Sequence, residues 1–214
     1  MRTRKQNAEI SNLHDIAAVQ LKNKDLIKLS AKAKEKSMLI LEEQGISAIA
    51  LALSRTLVDF VQHPEKIKAW SCACVSDTST LIVYCFGRKL EPERYRSVKT
   101  LFDKINSQDI TGVVSFYSLH ELFIFAIENF STDISRSIGK KALVEILNSR
   151  VEIIPLLNRD QRIRYSSSIK LNDASDVPHA ILAIMEKCDC IVTYVSHFDD
   201  INNVIEINQP DELI

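Results

Sequence analysis

The stretch Cys72-Ala-Cys-Val-Ser-Asp77-Thr-Ser-Thr-Leu-Ile-Val83 contains an apolar run that ends near an acid, then hydroxyl residues and a second apolar run. The first run predicts a short buried strand and the second predicts the helix 79–86. Asp77 therefore follows a strand directly, at the edge where open α/β sheets bind their ligands. A carboxylate at this position also caps a helix, so Asp77 is a candidate for both roles.

Short apolar runs alternate with longer amphipathic stretches over residues 68–214. Strands separated by helices of about ten or more residues favour right-handed crossovers and a parallel sheet. The sequence therefore predicts a three-layer α/β/α fold around a central parallel sheet of about five strands. The predicted strands are Ala73–Ser76, Gly112–Ser115, Val151–Ile154, Cys190–Tyr194 and Val204–Ile207. The predicted helices cover most of 79–86, 92–106, 118–129, 132–148, 158–170 and 175–187.

Residues 1–67 follow a helical pattern throughout and predict a separate N-terminal helical extension. Gly45 interrupts this pattern and predicts a helical hairpin, and the stretch around His63-Pro64 predicts the connection to residues 68–214. The sequence on either side of Gly45 faintly resembles a helix-turn-helix, which would make the chain a DNA regulator. The second helix is too apolar for a good DNA reader. Packing against the second domain, or dimerisation, is the favoured interpretation.

The composition is that of an ordinary globular protein. The chain has 214 residues, of which 46% are hydrophobic and 26% are charged. No apolar run reaches the roughly 18 residues needed to span a bilayer, and no signal-peptide core is evident, so a cytoplasmic protein without membrane contact is expected. The four glycines form neither G-x-G-x-x-G nor a P-loop, so nucleotide binding has no support.

The net charge of −1 is unevenly distributed along the chain. Residues 1–36 have a net charge of +5, and residues 171–214 have a net charge of −8. A basic arm and an acidic tail are typical of a polyanion-binding protein whose acids bind cations. Two differently solvated surfaces are the alternative interpretation.

Two further acids lie at predicted element ends. Glu121 follows the strand Gly112–Ser115, and Asp176 lies at the start of the helix that leads into Cys190–Tyr194. Carboxylates are the ligands that Mg²⁺ and Mn²⁺ prefer, so Asp77, Glu121 and Asp176 could converge on one ion. Each acid also has a structural interpretation. Glu121 has a capping-box spacing from Ser118, and Asp176 lies in a first helical turn, where the helix dipole favours a carboxylate.

Four motifs occur in order between residues 72 and 214. They are Asp77-Thr-Ser79, then Val113-Val-Ser-Phe-Tyr-Ser-Leu-His-Glu121, then Asp176-Val-Pro-His179-Ala with Cys188-Asp-Cys-Ile-Val-Thr193, and last Phe198 with Gln209-Pro-Asp-Glu-Leu213. This combination resembles the PIN-domain family of metal-dependent ribonucleases, which includes the toxin nucleases of toxin–antitoxin pairs. The resemblance implies that Asp77, Glu121 and Asp176 are catalytic metal ligands.

One position departs from the family pattern. The family commonly has Thr-x-Asp-x-Asp-Phe where this chain has Thr193-Tyr-Val195-Ser-His197-Phe198, so Val195 replaces the fourth acid. This loss is expected to weaken the site and to disfavour a second ion. Asp173 and His197 are candidate substitutes, although a solvated loop histidine is the favoured interpretation of His197. Ser79 and Thr193 are candidates to position water or to hold the carboxylates. His120 and His179 are expected to be packing or surface residues.

The resemblance implies a Mg²⁺- or Mn²⁺-dependent endoribonuclease, in which a metal-activated water cleaves RNA and leaves a 3′-hydroxyl and a 5′-phosphate. The role would be toxin-like or RNA-processing. Six lysines of the basic arm are predicted to contact RNA phosphates: Lys22, Lys24, Lys28, Lys32, Lys34 and Lys36. An antitoxin that inserts a basic side chain among the acids is an implied partner, and a homodimer is a further expectation. The alternative, motivated by Val195, is a PIN-like domain that has lost catalysis and serves as an RNA-binding or protein-interaction scaffold.

Overall fold

The computed structural model of the chain describes residues 13–44, 73–166 and 169–214. The predicted domain boundary near residue 67 and the predicted helix break at Gly45 lie outside these residues. Among the residues that are described, the helices are too short or too polar to cross a membrane.

Two N-terminal helices are present. Residues 13–20 form helix α1, and helix α2 covers Leu26–Gln44. The Asp25 carboxylate accepts hydrogen bonds from the backbone N–H groups of Ile27 and Lys28 at 3.0 and 3.2 Å, which caps the start of α2. One face of the two helices is apolar and buried, and it consists of Leu13, Ala17, Leu21, Leu26 and Ala33.

The second part of the chain alternates strands and helices. Its strands are β1 (Ala73–Ser76), β2 (Thr111–Ser115), β3 (Val151–Ile154), β4 (Cys190–Val192) and β5 (Glu206–Asn208). Its helices are α3 (Thr78–Phe86), α4 (Pro92–Ser107), α5 (Phe116–Asn129), α6 (Ser135–Leu147), α7 (Arg159–Ser166) and α8 (Val177–Met185). Two short 3₁₀ helices cover Ser196–Ile201 and Pro210–Leu213.

The five strands form one parallel sheet in the order β3-β2-β1-β4-β5. The register pairs Val75 with Val113 on one side of β1 and with Ile191 on the other. This topology confirms the predicted three-layer α/β/α fold. The chain leaves β1 toward β2 and β3 and returns to the other side of β1 for β4 and β5. The carboxyl ends of β1 and β4 therefore flank the point where strand order reverses, which is where such sheets bind ligands.

Two main apolar clusters make up the core. One contains the buried faces of α3 and α5 together with the apolar face of α1 and α2. The other contains buried residues of α8, β4 and the 3₁₀ helix Ser196–Ile201. The N-terminal helices therefore share a hydrophobic core with the helices that follow β1 and β2.

Several predicted boundaries are wrong by a few residues. The strand predicted at Cys190–Tyr194 ends at Val192, and the hydroxyl of Thr193 accepts a hydrogen bond from the Val195 N–H at 3.1 Å, which turns the chain. The strand predicted at Val204–Ile207 is found at Glu206–Asn208, because the N–H groups of Val204 and Ile205 still bond to the Ile201 carbonyl. The helices predicted at 132–148, 158–170 and 175–187 are shorter in the structure.

Candidate active site

Asp77 lies between β1 and α3 and is completely buried. Its Oδ2 accepts hydrogen bonds from the Ser79 N–H at 3.2 Å, from the Ser79 hydroxyl at 2.9 Å and from the Thr193 hydroxyl at 3.0 Å. The bond from the Ser79 N–H makes Asp77 the N-cap of α3. Ser79 and Thr193 thus fix one oxygen of the carboxylate, and the other oxygen, Oδ1, is directed elsewhere.

A lysine from helix α2 contacts that second oxygen. The Lys34 ammonium lies 2.6 Å from Oδ1 of Asp77 and 2.6 Å from Oδ1 of Asp176. The Lys34 side chain is 1% exposed, and its ammonium lies 5.3 Å from the centroid of the Phe198 ring. The two aspartates therefore share one cation, which the N-terminal part of the chain supplies.

Burial and mutual charge shift the pKa values of Lys34, Asp77 and Asp176. Burial alone would lower the pKa of Lys34, but Asp77, Asp176 and Glu121 raise that pKa above its ordinary value. Burial would raise the pKa of Asp77, but Lys34 and His179 lower it below its usual range. Burial raises the pKa of Asp176 above its ordinary value, and the nearby Asp77 charge adds to this effect, although the Lys34 ammonium acts to lower the pKa. A single lysine is therefore shared by two acids, and only the pKa of Asp77 is lowered below its usual range.

Glu121 lies on α5 and contacts a histidine. Its Oε1 is 3.0 Å from Nε2 of His179, and its Oε2 accepts a hydrogen bond from the Thr78 hydroxyl. Burial alone would lower the pKa of His179, but the Glu121 carboxylate raises it above 6.5. The N-cap of α5 is Ser115, whose hydroxyl accepts the Ser118 N–H, so Glu121 has no capping role and its side chain reaches the site.

A second group of ligand atoms lies on the outer side of Asp176. Oδ2 of Asp176 is 3.1 Å from Nδ1 of His197, which is 3.5 Å from Oδ2 of Asp173. Among the described residues, the candidate ligand atoms of Asp173, Asp176 and His197 all lie within 4.8 Å of one another. Both candidate substitutes for the missing fourth acid are thus next to Asp176, and His197 is paired with acids rather than simply solvated. Val195 itself is half-buried.

The six lysines that are predicted to contact RNA differ in their exposure to solvent. Lys34 is buried against the aspartates and is not exposed to solvent in this structure. Lys36 is half-exposed and pairs with Glu128 at 2.6 Å. The remaining four are exposed and are Lys22, Lys24, Lys28 and Lys32.

The roles of Lys34 and His179 in the site are not predicted by the sequence. Lys34 has no local signal, because its partners lie far along the chain. His179 has a local signal in its spacing from Asp176. Residues three apart share one face of a helix, so the two side chains point toward the same crevice. His120 is also buried, and its Nδ1 contacts the hydroxyl of Ser37 on α2.

The parallel sheet with acids at its carboxyl edge places the protein among the α/β proteins that bind ligands at that edge. A protein-family model described as a PIN domain matches residues 73–194. The chain therefore belongs to the PIN-domain family. Neither the curated proteins nor the solved structures compared with the chain give a match.

Asp77 and Asp176 carry the type of oxygen ligand that binds the divalent metal on which PIN domains generally depend. Asp77 and Asp176 each direct one carboxylate oxygen at a single cation, the Lys34 ammonium. Carboxylate oxygens are the ligands that Mg²⁺ and Mn²⁺ prefer. Glu121 is close enough to this position to raise the pKa of Lys34.

Proposed function

We propose that the protein is a Mg²⁺- or Mn²⁺-dependent endoribonuclease. The observation that supports this proposal is the convergence of Asp77 and Asp176 on one buried cation position. A structural ion pair needs one acid for one lysine. Two fully buried aspartates around one cation, with Glu121 nearby, are an arrangement that suits a divalent ion better.

The side chains of the site have separable roles in this proposal. Asp77, Asp176 and Glu121 are the candidate metal ligands, and a bound Mg²⁺ or Mn²⁺ would lower the pKa of a water and neutralise charge on the phosphate. Ser79 and Thr193 hold Asp77, because both hydroxyls donate to its Oδ2. These contacts keep Oδ1 directed at the cation position.

His179 has the corresponding role for Glu121. Its Nε2 contacts Oε1 of Glu121 at 3.0 Å, and its Nδ1 lies 3.2 and 3.3 Å from the hydroxyls of Ser115 and Ser118. The imidazole is therefore held on both sides, and it fixes the carboxylate. On the outer side of Asp176, Asp173 and His197 are candidate substitutes for the acid that Val195 replaces.

RNA would be bound through its phosphates. The exposed lysines of the N-terminal helices and the turn between them offer positive charge that does not depend on sequence. They are Lys22, Lys24, Lys28, Lys32 and, after release of Glu128, Lys36. Toxin-like and RNA-processing roles are both compatible with such an activity. An antitoxin or a second copy of the chain remains a predicted partner.

The test is cleavage of a fluorophore-labelled single-stranded RNA in the presence of Mn²⁺. Because Lys34 contacts the candidate ligands, the assay uses the wild type and Lys34→Met, each with and without Asp77→Asn. We expect cleavage in at least one of the two backgrounds, with a loss of about 100-fold or more on Asp77→Asn or on addition of EDTA. Cleavage that survives Asp77→Asn, or no cleavage in either background, would refute the proposal.

A scaffold without catalysis is the second candidate function. Two observations favour it: Val195 replaces the fourth acid, and a lysine binds the two aspartates. A scaffold predicts that neither the wild type nor Lys34→Met binds Mn²⁺, while RNA or protein binding is retained. Calorimetry on both proteins separates this candidate from the nuclease.

A further inference from the structure

The N-terminal helices are attached to the protein on both sides of Lys34. Their apolar face, which includes Leu26 and Ala33, is part of the same hydrophobic cluster as α3 and α5. The polar contacts of this interface include the buried pair Ser37 with His120 and the more exposed pairs Lys36 with Glu128, Gln20 with Ser131, and Asp15 with Lys89. Docking of the two helices therefore carries the Lys34 ammonium directly to the aspartates.

Lys34 and a metal ion would compete for the same atoms. Oδ1 of Asp77 and Oδ1 of Asp176 both contact the ammonium, and Ser79 and Thr193 engage the other oxygen of Asp77. A metal ion bound between these two Oδ1 atoms would lie where the ammonium lies. Like charges repel strongly in a buried site, so the two cations cannot be bound together there.

The charge balance favours exchange of the lysine for a divalent ion. One ammonium faces the Oδ1 atoms of two buried aspartates, and the nearby Glu121 is itself in contact with His179. A divalent ion would bring twice the charge to the same oxygens.

The edges of α2 are suited to local opening. The Lys36–Glu128 and Asp15–Lys89 pairs are about half-exposed, and exposed pairs of this kind contribute little to stability. A cavity of about 720 Å³ lies between α2 and the loops that carry Asp173 and His197. Lys32 and Glu35 of α2 line this cavity. Solvent therefore reaches α2 along the side nearest to Asp176.

We infer that the α1–α2 segment is an intramolecular inhibitor, which binds the metal ligands through Lys34 and must withdraw that lysine before a divalent ion and RNA can enter. This inference rests on the proposed function, because it requires that the aspartates bind a metal. While α1 and α2 are docked on the rest of the protein, the protein is inhibited by its own chain. Divalent ions, or a partner that takes up the apolar face of α2, would shift the protein toward the open state.

The first experiment measures Mn²⁺ binding by calorimetry for three proteins: the wild type, Lys34→Met and Lys140→Met. Lys140 is an exposed lysine of α6, so its substitution controls for the loss of a positive charge. We expect Lys34→Met to bind Mn²⁺ at least about tenfold more tightly than the other two, because the wild type must first open. Circular dichroism verifies that each variant is folded.

The second experiment uses the wild type alone and does not depend on the folding of a variant. Acetylation of individual lysines is followed by mass spectrometry in EDTA and in saturating Mn²⁺, with Lys140 as the internal reference. We expect Mn²⁺ to raise the acetylation rate of Lys34 relative to Lys140 by about tenfold or more, since the lysine is buried only in the docked state.

The outcomes separate the two proposals. Equal Mn²⁺ affinity of the wild type and Lys34→Met, with unchanged acetylation of Lys34 in saturating Mn²⁺, would overturn the inhibitor and leave the proposed nuclease standing. Absence of Mn²⁺ binding in all three folded proteins would overturn the proposed function, and the inhibitor with it.

Discussion

The ammonium group of Lys34 lies 2.6 Å from Oδ1 of Asp77 in the interior of the protein. The same aspartate caps helix α3 through its Oδ2, so its capping role and its place in the charged site use different oxygens. This contact joins α2, which lies outside the matched family region, to the first acid of that region. Helix α2 therefore contributes a side chain to the site.

Substitution of Lys34 should strongly destabilise the metal-free protein. Lys34→Met leaves two buried aspartates without their cation, and removal of one partner of a buried ion pair costs about 3–5 kcal/mol. We expect this decrease in the free energy of unfolding, measured by urea denaturation in EDTA. The exposed control Lys140→Met should change it by less than about 0.5 kcal/mol. Equal stability of the two variants would mean that Lys34 does not balance the aspartates.

The pKa of His179 should depend on its contact with the Glu121 carboxylate. Burial lowers the pKa of His179, and Glu121 reverses this effect, so that the pKa lies above 6.5. We expect Glu121→Gln to bring the pKa of His179 below 6.5, as measured by NMR titration of its imidazole in metal-free buffer. The control is Glu128→Gln, which removes a half-exposed acid from the same helix. A pKa of His179 that is the same in both variants would contradict the pairing with Glu121.

The Glu121–His179 pair also predicts the sign of a stability change. A histidine whose pKa is raised by folding stabilises the protein below its unfolded pKa of 6.5, and this contribution is lost as the pH rises through the higher folded pKa. As the pH rises from neutral to alkaline, Glu121→Gln should therefore lose less of its free energy of unfolding than the wild type does.

Restoring an acid at position 195 should strengthen metal binding. Val195 is half-buried beside Thr193, and a further carboxylate increases the affinity of an oxygen-ligand site for a divalent ion. In the Lys34→Met background we expect Val195→Asp to bind Mn²⁺ about tenfold more tightly than Val195→Asn, by calorimetry. An unchanged affinity would indicate that position 195 does not face the site, or that Asp173 and His197 already fulfil this role.

His14 should make the protein sensitive to acid. The ring is 1% exposed and packs edge-on against Tyr95, and burial together with the Arg88 charge lowers its pKa from 6.5 to about 4. The unfolded chain takes up the proton first, so the stability contributed by the neutral ring is present above pH 6.5 and is lost as the pH falls toward 4.

His14→Phe isolates this effect. Between pH 7 and pH 4 we expect the free energy of unfolding, measured by urea denaturation, to fall by up to about 3 kcal/mol more in the wild type than in the variant. Other acidic groups titrate in both proteins, so the difference between the two pH profiles reports on His14. Parallel profiles would contradict this prediction.

The fold could be predicted because its signals are local. Apolar runs such as Ala73–Ser76 and Val151–Ile154 define strands, and the long amphipathic stretches between them require parallel connections. The short strand β5 was misplaced, since Val204 and Ile205 are as apolar as a strand but belong to a turn that continues from Ile201.

The site could be predicted only in part. Asp77 follows β1, Glu121 lies in the helix after β2 and Asp176 precedes α8, so a parallel topology places all three near the carboxyl edge of the sheet. Lys34 could not be found in this way, because a lysine on a polar helix is normally solvated and nothing local indicates a partner in another element. Its role depends on how α2 docks, which only the tertiary structure reveals.

We propose that Asp77 and Asp176 bind a single catalytic ion, with Glu121 as a third candidate ligand. The most direct test is a crystal structure of Lys34→Met soaked in Mn²⁺, with anomalous scattering used to locate the metal. We expect an anomalous peak next to Oδ1 of Asp77 and Oδ1 of Asp176, at the position that the Lys34 ammonium occupies in the wild type. A peak only at the outer group of Asp173, Asp176 and His197, or no peak at all, would contradict it.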